Sequence, residues 1–104
     1  MFDWLHRWFT LPDFNGCAFA NARNEVATLS PEASAIIDEH FAALRSYLRD
    51  ITRPLPEATR IADELLVVLE GAIVLARSLT SSRPARTAKK VALQLVDEAE
   101  RPTR

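Results

Sequence analysis

The segment "PEATRIADELLVVLEGAIVLARSLTS" constrains the fold more than any other part of the chain. Its apolar residues recur every three or four positions, which predicts a helix over residues 56–79. They form two stripes, one of Ile61, Leu65, Val68, Ala72, Leu75 and Leu79 and the other of Ala62, Leu66, Leu69, Ile73 and Ala76. A helix that packs on one side needs only one apolar stripe. We therefore expect this helix to be buried between two neighbours or to lie against a second chain.

Four further segments also read as helices. Ser30 is a suitable N-cap and Pro31 fits the first helical position, which predicts a helix over residues 30–53 that ends before Pro54. Shorter helices are predicted for the first residues, up to Pro12, and for residues 17–27, and a last helix for residues 84–100. The chain holds only two glycines among 104 residues, and runs of β-branched residues are scarce. The prediction is a single all-α domain over residues 1–104 with about five helices.

Composition and charge exclude several classes of function. The formal net charge is −1, which gives the chain no basic field to hold a nucleic-acid backbone. No stretch reaches the roughly 20 apolar residues of a membrane span, and the first residues do not resemble a signal peptide. One cysteine cannot form an internal disulfide and is typical of a reducing compartment. These features predict a cytoplasmic protein with no membrane partner.

Cys17, next to Gly16, is the strongest candidate for reactive chemistry. A cysteine at a helix start can act as a nucleophile, with His40 as its base. The alternative, which we favour, is a small buried apolar side chain. His6, His40 and Cys17 do not have the spacing of a zinc site. The sequence therefore predicts no enzyme, no cofactor and no metal.

Several aromatic and polar residues are candidates for a ligand pocket. His40 and Tyr47 share a helix face, where they line a pocket or else bond within the core or to solvent. Trp4, Trp8 and Phe19 are candidates for an aromatic wall, or else ordinary core residues. Gly71 costs about 1 kcal/mol relative to alanine inside a helix, which favours close packing at that position.

The order of these segments resembles the C-terminal domain of the TetR family of bacterial transcriptional regulators. One large branch of that family carries stretches similar to "FNGCAFANARNE", "IIDEHFAALRSYLRDI" and "ADELLVVLEGAIVLA", in this order and followed by an alanine-rich helix. The resemblance covers about residues 2 to 100. Family members begin with a DNA-binding helix-turn-helix domain, which this chain lacks. The resemblance thus implies that DNA is bound only through a missing N-terminal domain.

The resemblance also implies a function and a set of site residues. It implies an effector-sensing domain, in which a small apolar or aromatic molecule releases a repressor from DNA, and a homodimer formed by the last two helices. The implied pocket lining is Trp4, Trp8, Cys17, Phe19, Asn21, His40, Leu44, Tyr47, Leu69 and Ile73. The implied dimer interface is Leu65, Val68, Gly71, Ala72, Leu75, Leu79, Ala88, Ala92, Leu95 and Ala99. The alternative function is a helical dimerisation module that binds no ligand and pairs with full-length relatives.

Overall fold

The computed structural model describes residues 1–25 and 29–101, and all regular structure in these ranges is helical. The five helices are α1 (Phe2–Phe9), α2 (Ala18–Glu25), α3 (Pro31–Thr52), α4 (Ala58–Leu79) and α5 (Arg83–Glu100). The prediction of an all-α chain with about five helices is confirmed. The predicted end of the second helix at residue 27 lies outside the described residues. No helix within the described ranges is long and apolar enough to cross a membrane.

Local chemistry explains where the long helices begin and end. The Ser30 hydroxyl accepts a hydrogen bond from the backbone N–H of Ala33 at 3.1 Å, and Pro31 follows it, as predicted for an N-cap. The predicted start of the next helix at residue 56 is two residues early. Glu57 has a φ of 54°, in the left-handed region, so α4 begins only at Ala58. Thr80, with a φ of 50°, ends the same helix.

Helix α4 is the centre of the fold. Its most extensive contacts are with α5 and α3, and α1 packs on both α4 and α5. These neighbours cover most of both predicted stripes within one chain, so the two stripes do not by themselves require a second chain. The buried residues of α4 are Ile61, Ala62, Leu65, Leu69, Ala72, Ile73 and Ala76.

Part of α4 remains uncovered, on a face that combines the end of the first predicted stripe, Leu75 and Leu79, with two valines outside both stripes. The exposed apolar residues of this face are Val67, Val74, Leu75 and Leu79, with Val67 at 74% exposure. Gly71 lies among them, and a Cβ built on it would meet nothing within 4 Å. The close packing expected at Gly71 is therefore not provided by this chain.

Candidate ligand-binding cleft

An open cleft of about 410 Å³ lies between α1 and α3, with α4 as its floor. It forms because the backbones of α1 and α3 both lie beside α4 and, within the described ranges, do not approach each other closely. The cleft is lined by Met1, Trp4, Leu5, Trp8, Cys17, His40, Leu44, Tyr47, Leu69, Glu70 and Ile73. Eight of the ten residues implied as a pocket lining are among these eleven; the exceptions are Phe19 and Asn21.

Helix α1 supplies an aromatic wall to the cleft. Leu5 and Phe9 face the core and are buried, which places the indoles of Trp4 and Trp8 one turn apart on the flank of the helix. Their ring centroids are 5.5 Å apart. The Trp8 ring meets Phe14 edge-on at 4.9 Å, so the core side of the wall is held by packing. Trp4 is 57% exposed and lies at the open side.

Helix α3 supplies the opposite wall through His40, Leu44 and Tyr47, which recur at helical spacing. The His40 ring is stacked on Phe19 of α2, with centroids 4.0 Å apart and an interplanar angle of 7°. Phe19 therefore supports the lining residue His40 from behind and does not line the cleft itself. Tyr47 is 53% exposed, at the outer edge.

Asn21 occupies a different position from the one implied by the resemblance. Its amide Nδ2 donates to the backbone oxygen of Asn15 at 2.7 Å, and Arg77 Nη1 donates to its Oδ1, also at 2.7 Å. Asn21 thus ties the turn before α2 to the C-terminal part of α4. A glycine at position 16 allows Arg77 to approach this turn. Its φ of 80° favours glycine, and a Cβ there would lie only 3.0 Å from Cδ of Arg77.

Glu70 is the lining residue that sequence reasoning missed. It is half-buried, and desolvation raises the pKa of its carboxyl group, while the charge of His40 acts in the opposite direction. The available signal was its position between Leu66 and Ile73, which places an acidic residue on an apolar flank of α4. That position marks Glu70 as near a buried face without showing that the face opens onto a cleft.

Cys17 is half-buried and lines the cleft where the chain enters α2. None of the hydrogen bonds described joins it to His40, whose ring is stacked on Phe19 and meets Phe41 in a T-shaped contact. Within residues 1–25 and 29–101, no three His, Cys, Asp or Glu side chains are grouped as metal ligands would be.

The ten residues implied as a dimer interface divide into three groups. Leu65, Ala72, Ala88 and Ala92 are buried within the chain, so their surfaces are already covered by its own helices. Val68, Leu95 and Ala99 are half-buried, and Gly71, Leu75 and Leu79 are exposed. Ala88 and Ala92 of α5, which were expected to meet a partner, instead face the core, because small side chains let α4 and α5 pack closely. Of the ten implied residues, the exposed ones therefore all lie on α4.

Comparisons of the chain with protein-family models, with curated protein sequences and with solved structures give no match.

Proposed function

We propose that this chain is the effector-sensing and dimerisation domain of a TetR-type transcriptional regulator, whose ligand is a small apolar or aromatic molecule bound in the cleft. The observation that carries the proposal is the cleft itself. It has the size and the mainly apolar lining of small-molecule sites, with a few polar groups among them. DNA binding would belong to a separate helix-turn-helix domain, as the resemblance implies.

A chain of contacts connects the cleft to the far end of α4. A ligand that touches His40 acts on the Phe19 ring stacked behind it, at 4.0 Å, and hence on α2. The opposite side of α2 bonds to Arg77 through Asn21. If the ligand prefers one position of α2, it shifts the population of that position and with it the surroundings of Arg77. A sensor domain requires such a coupling between its ligand site and a distant part of the structure.

Tryptophan fluorescence tests the binding site directly, because both indoles line the cleft. Small hydrophobic compounds are expected to quench the emission in a saturable way, and the His40→Ala and Tyr47→Phe variants are expected to weaken the effect. A suitable control is His6→Ala, since His6 lies outside the cleft. Saturable quenching that neither lining variant alters would show that the ligand binds elsewhere.

The alternative function is a dimerisation module without a ligand, and the uncovered face of α4 favours it. Val67, Val74, Leu75 and Leu79 expose at least half of their surface in the single chain.

Sedimentation tests dimerisation separately from ligand binding. A charge on the exposed face, Leu75→Glu, should yield folded monomer, whereas Ile73→Glu in the buried set should unfold the chain. A dimer in which no compound causes quenching would favour this module; a protein that is monomeric at high micromolar concentration would exclude homodimerisation.

A further inference from the structure

The cleft contains a carboxylate with no lysine or arginine beside it. Glu70 is the acidic residue of the lining, and neither lysine nor arginine contributes to the lining. The other titratable groups there are His40 and Tyr47 from α3, Cys17 before α2, and the amino group of Met1. The pKa of Asp3 is lowered first by its hydrogen bond to Lys89 and only to a lesser extent by the charge of that amino group, whereas the charge that acts on Glu70 is that of His40.

Within the described ranges, Glu70 has no hydrogen-bonded partner, whereas the other acidic side chains of α4 do. Glu64 accepts a hydrogen bond from Arg60 at 2.8 Å, and Asp63 pairs with Arg45 at 2.6 Å. Among the described residues, Glu70 has neither a hydrogen bond nor an ion pair. This lack of a partner accords with the raised pKa of Glu70, because burial opposes the charge of the carboxylate and no hydrogen-bonded group that the structure describes offsets that cost. A cation that enters through the open side of the cleft would therefore stabilise the charge of this carboxylate.

The two indoles suit the same kind of ligand. An organic cation is attracted to the face of an aromatic ring, and tryptophan gives the strongest attraction of this kind. Trp4 and Trp8 line the cleft together with Glu70. An anionic ligand would meet the Glu70 charge and no lysine or arginine, so the same lining disfavours fatty acids and other carboxylates.

We propose that the cleft selects hydrophobic cations, aromatic or alkyl amines and quaternary ammonium compounds, whose charge lies against Glu70 and whose apolar body lies against Trp4 and Trp8. This inference rests on the proposed function, because it names the chemical class of the effector. It adds a role for Glu70, which the sequence did not indicate, as the residue that determines specificity for charge.

A series of three probes with one aromatic body tests the proposal by titration calorimetry at neutral pH. Naphthylethylamine is cationic, naphthylethanol is neutral and naphthylacetate is anionic. We expect the amine to bind about tenfold more tightly than the alcohol, the difference of a charge-assisted contact, and the acetate to bind most weakly. Glu70→Gln should remove the preference for the amine and leave the affinity for the alcohol within about twofold. Glu98→Gln, on the exposed face of α5, is the matched control and should change nothing.

A second variant tests the aromatic contribution separately. Trp4→Leu keeps an apolar side chain at an exposed position, so folding is preserved, and it should weaken the amine more than the alcohol. Equal binding of amine and alcohol, or a preference for the amine that persists in Glu70→Gln, would overturn the assignment of a cationic ligand while leaving a ligand site in place. Failure of all three probes to bind would count against both the ligand class and the proposed sensor function.

Discussion

The closed contact between α4 and α5 and the open cleft between α1 and α3 are built from side chains of different size. In the contact with α5, alanines are buried on both helices, among them Ala72 and Ala76 on α4 and Ala85 and Ala88 on α5. In the cleft, tryptophan, leucine, histidine and tyrosine side chains surround about 410 Å³ of open space. Small side chains let helix backbones approach each other, whereas large ones hold them apart. The same helix α4 thus provides a rigid contact on one side and a binding surface on the other.

Truncation of a fully covered side chain should show the largest difference between the closed and the open regions. Leu48 on α3 has no exposed surface, and Leu44, one turn earlier, lines the cleft and is half-buried. Leu48→Ala is expected to lower the free energy of unfolding by about 2–5 kcal/mol, because it leaves a cavity. Leu44→Ala is the matched variant and should cost less, since its surroundings already reach solvent. Equal losses in urea unfolding would mean that the cleft is as tightly packed as the core.

Enlargement of an alanine in the closed region is the second test. Ala88 on α5 is 5% exposed, so Ala88→Leu has to separate α5 from the core. A loss of about 1–3 kcal/mol in the free energy of unfolding is expected. The control is Ala43→Leu on the exposed side of α3, where the expected change is within about 0.5 kcal/mol. A neutral Ala88→Leu variant would show that α4 and α5 have room between them.

The contact that holds α2 should have a smaller and more local effect. Asn21→Ala removes hydrogen bonds to Asn15 and Arg77, which are worth about 0.5–1.5 kcal/mol each. Amide hydrogen exchange should become faster in α2, while α4 and α5 keep their protection. Asn15→Ala retains the backbone oxygen that accepts the bond from Asn21, so it should leave the exchange of α2 unchanged. Uniform loss of protection along the chain would mean that α2 unfolds only together with the core.

The smallest expected effects are those of pH, and they have opposite signs at Glu70 in the cleft and at Asp63, which pairs with Arg45 outside it. The raised pKa of Glu70 means that the folded state holds this proton more tightly than the unfolded state, so stability falls as the pH rises from the ordinary value of 4.5 through the folded-state pKa. In contrast, Arg45 lowers the pKa of Asp63, whose contribution is present above the ordinary value of 3.8 and is lost as the pH falls through the lower folded-state pKa. The free energy of unfolding of Glu70→Gln, relative to that of the unmodified protein, should therefore increase as the pH rises toward 7. Asp63→Asn should lose more stability at neutral pH than in acid. A pH dependence for Glu70→Gln that matches the unmodified protein would show that Glu70 lies in a fully solvated position.

The sequence by itself determined the class of the fold and most helix boundaries. Apolar spacing, the Ser30 cap and the prolines that limit the helices are local features, and local features suffice to specify α-helices. The pocket lining, in contrast, was implied by the resemblance and not by local features, and eight of its ten residues line the cleft. The early start predicted for α4 failed only because the positive φ of Glu57 has no signature in its residue type.

The tertiary structure alone decided which neighbour covers each face of each helix. Periodicity shows that α4 has two apolar stripes, but it does not show that α3 and α5 of the same chain cover most of both. For the same reason, periodicity did not show that the end of the first stripe, Leu75 and Leu79, would remain exposed together with Val67 and Val74. Asn21 lies outside the cleft and Glu70 lines it, because the hydrogen bond of Asn21 to Arg77, 56 residues away, and the gap between α1 and α3 are both products of long-range packing. Side-chain spacing determines how a helix divides its surface, and only the arrangement of the other helices determines which part of that surface remains open.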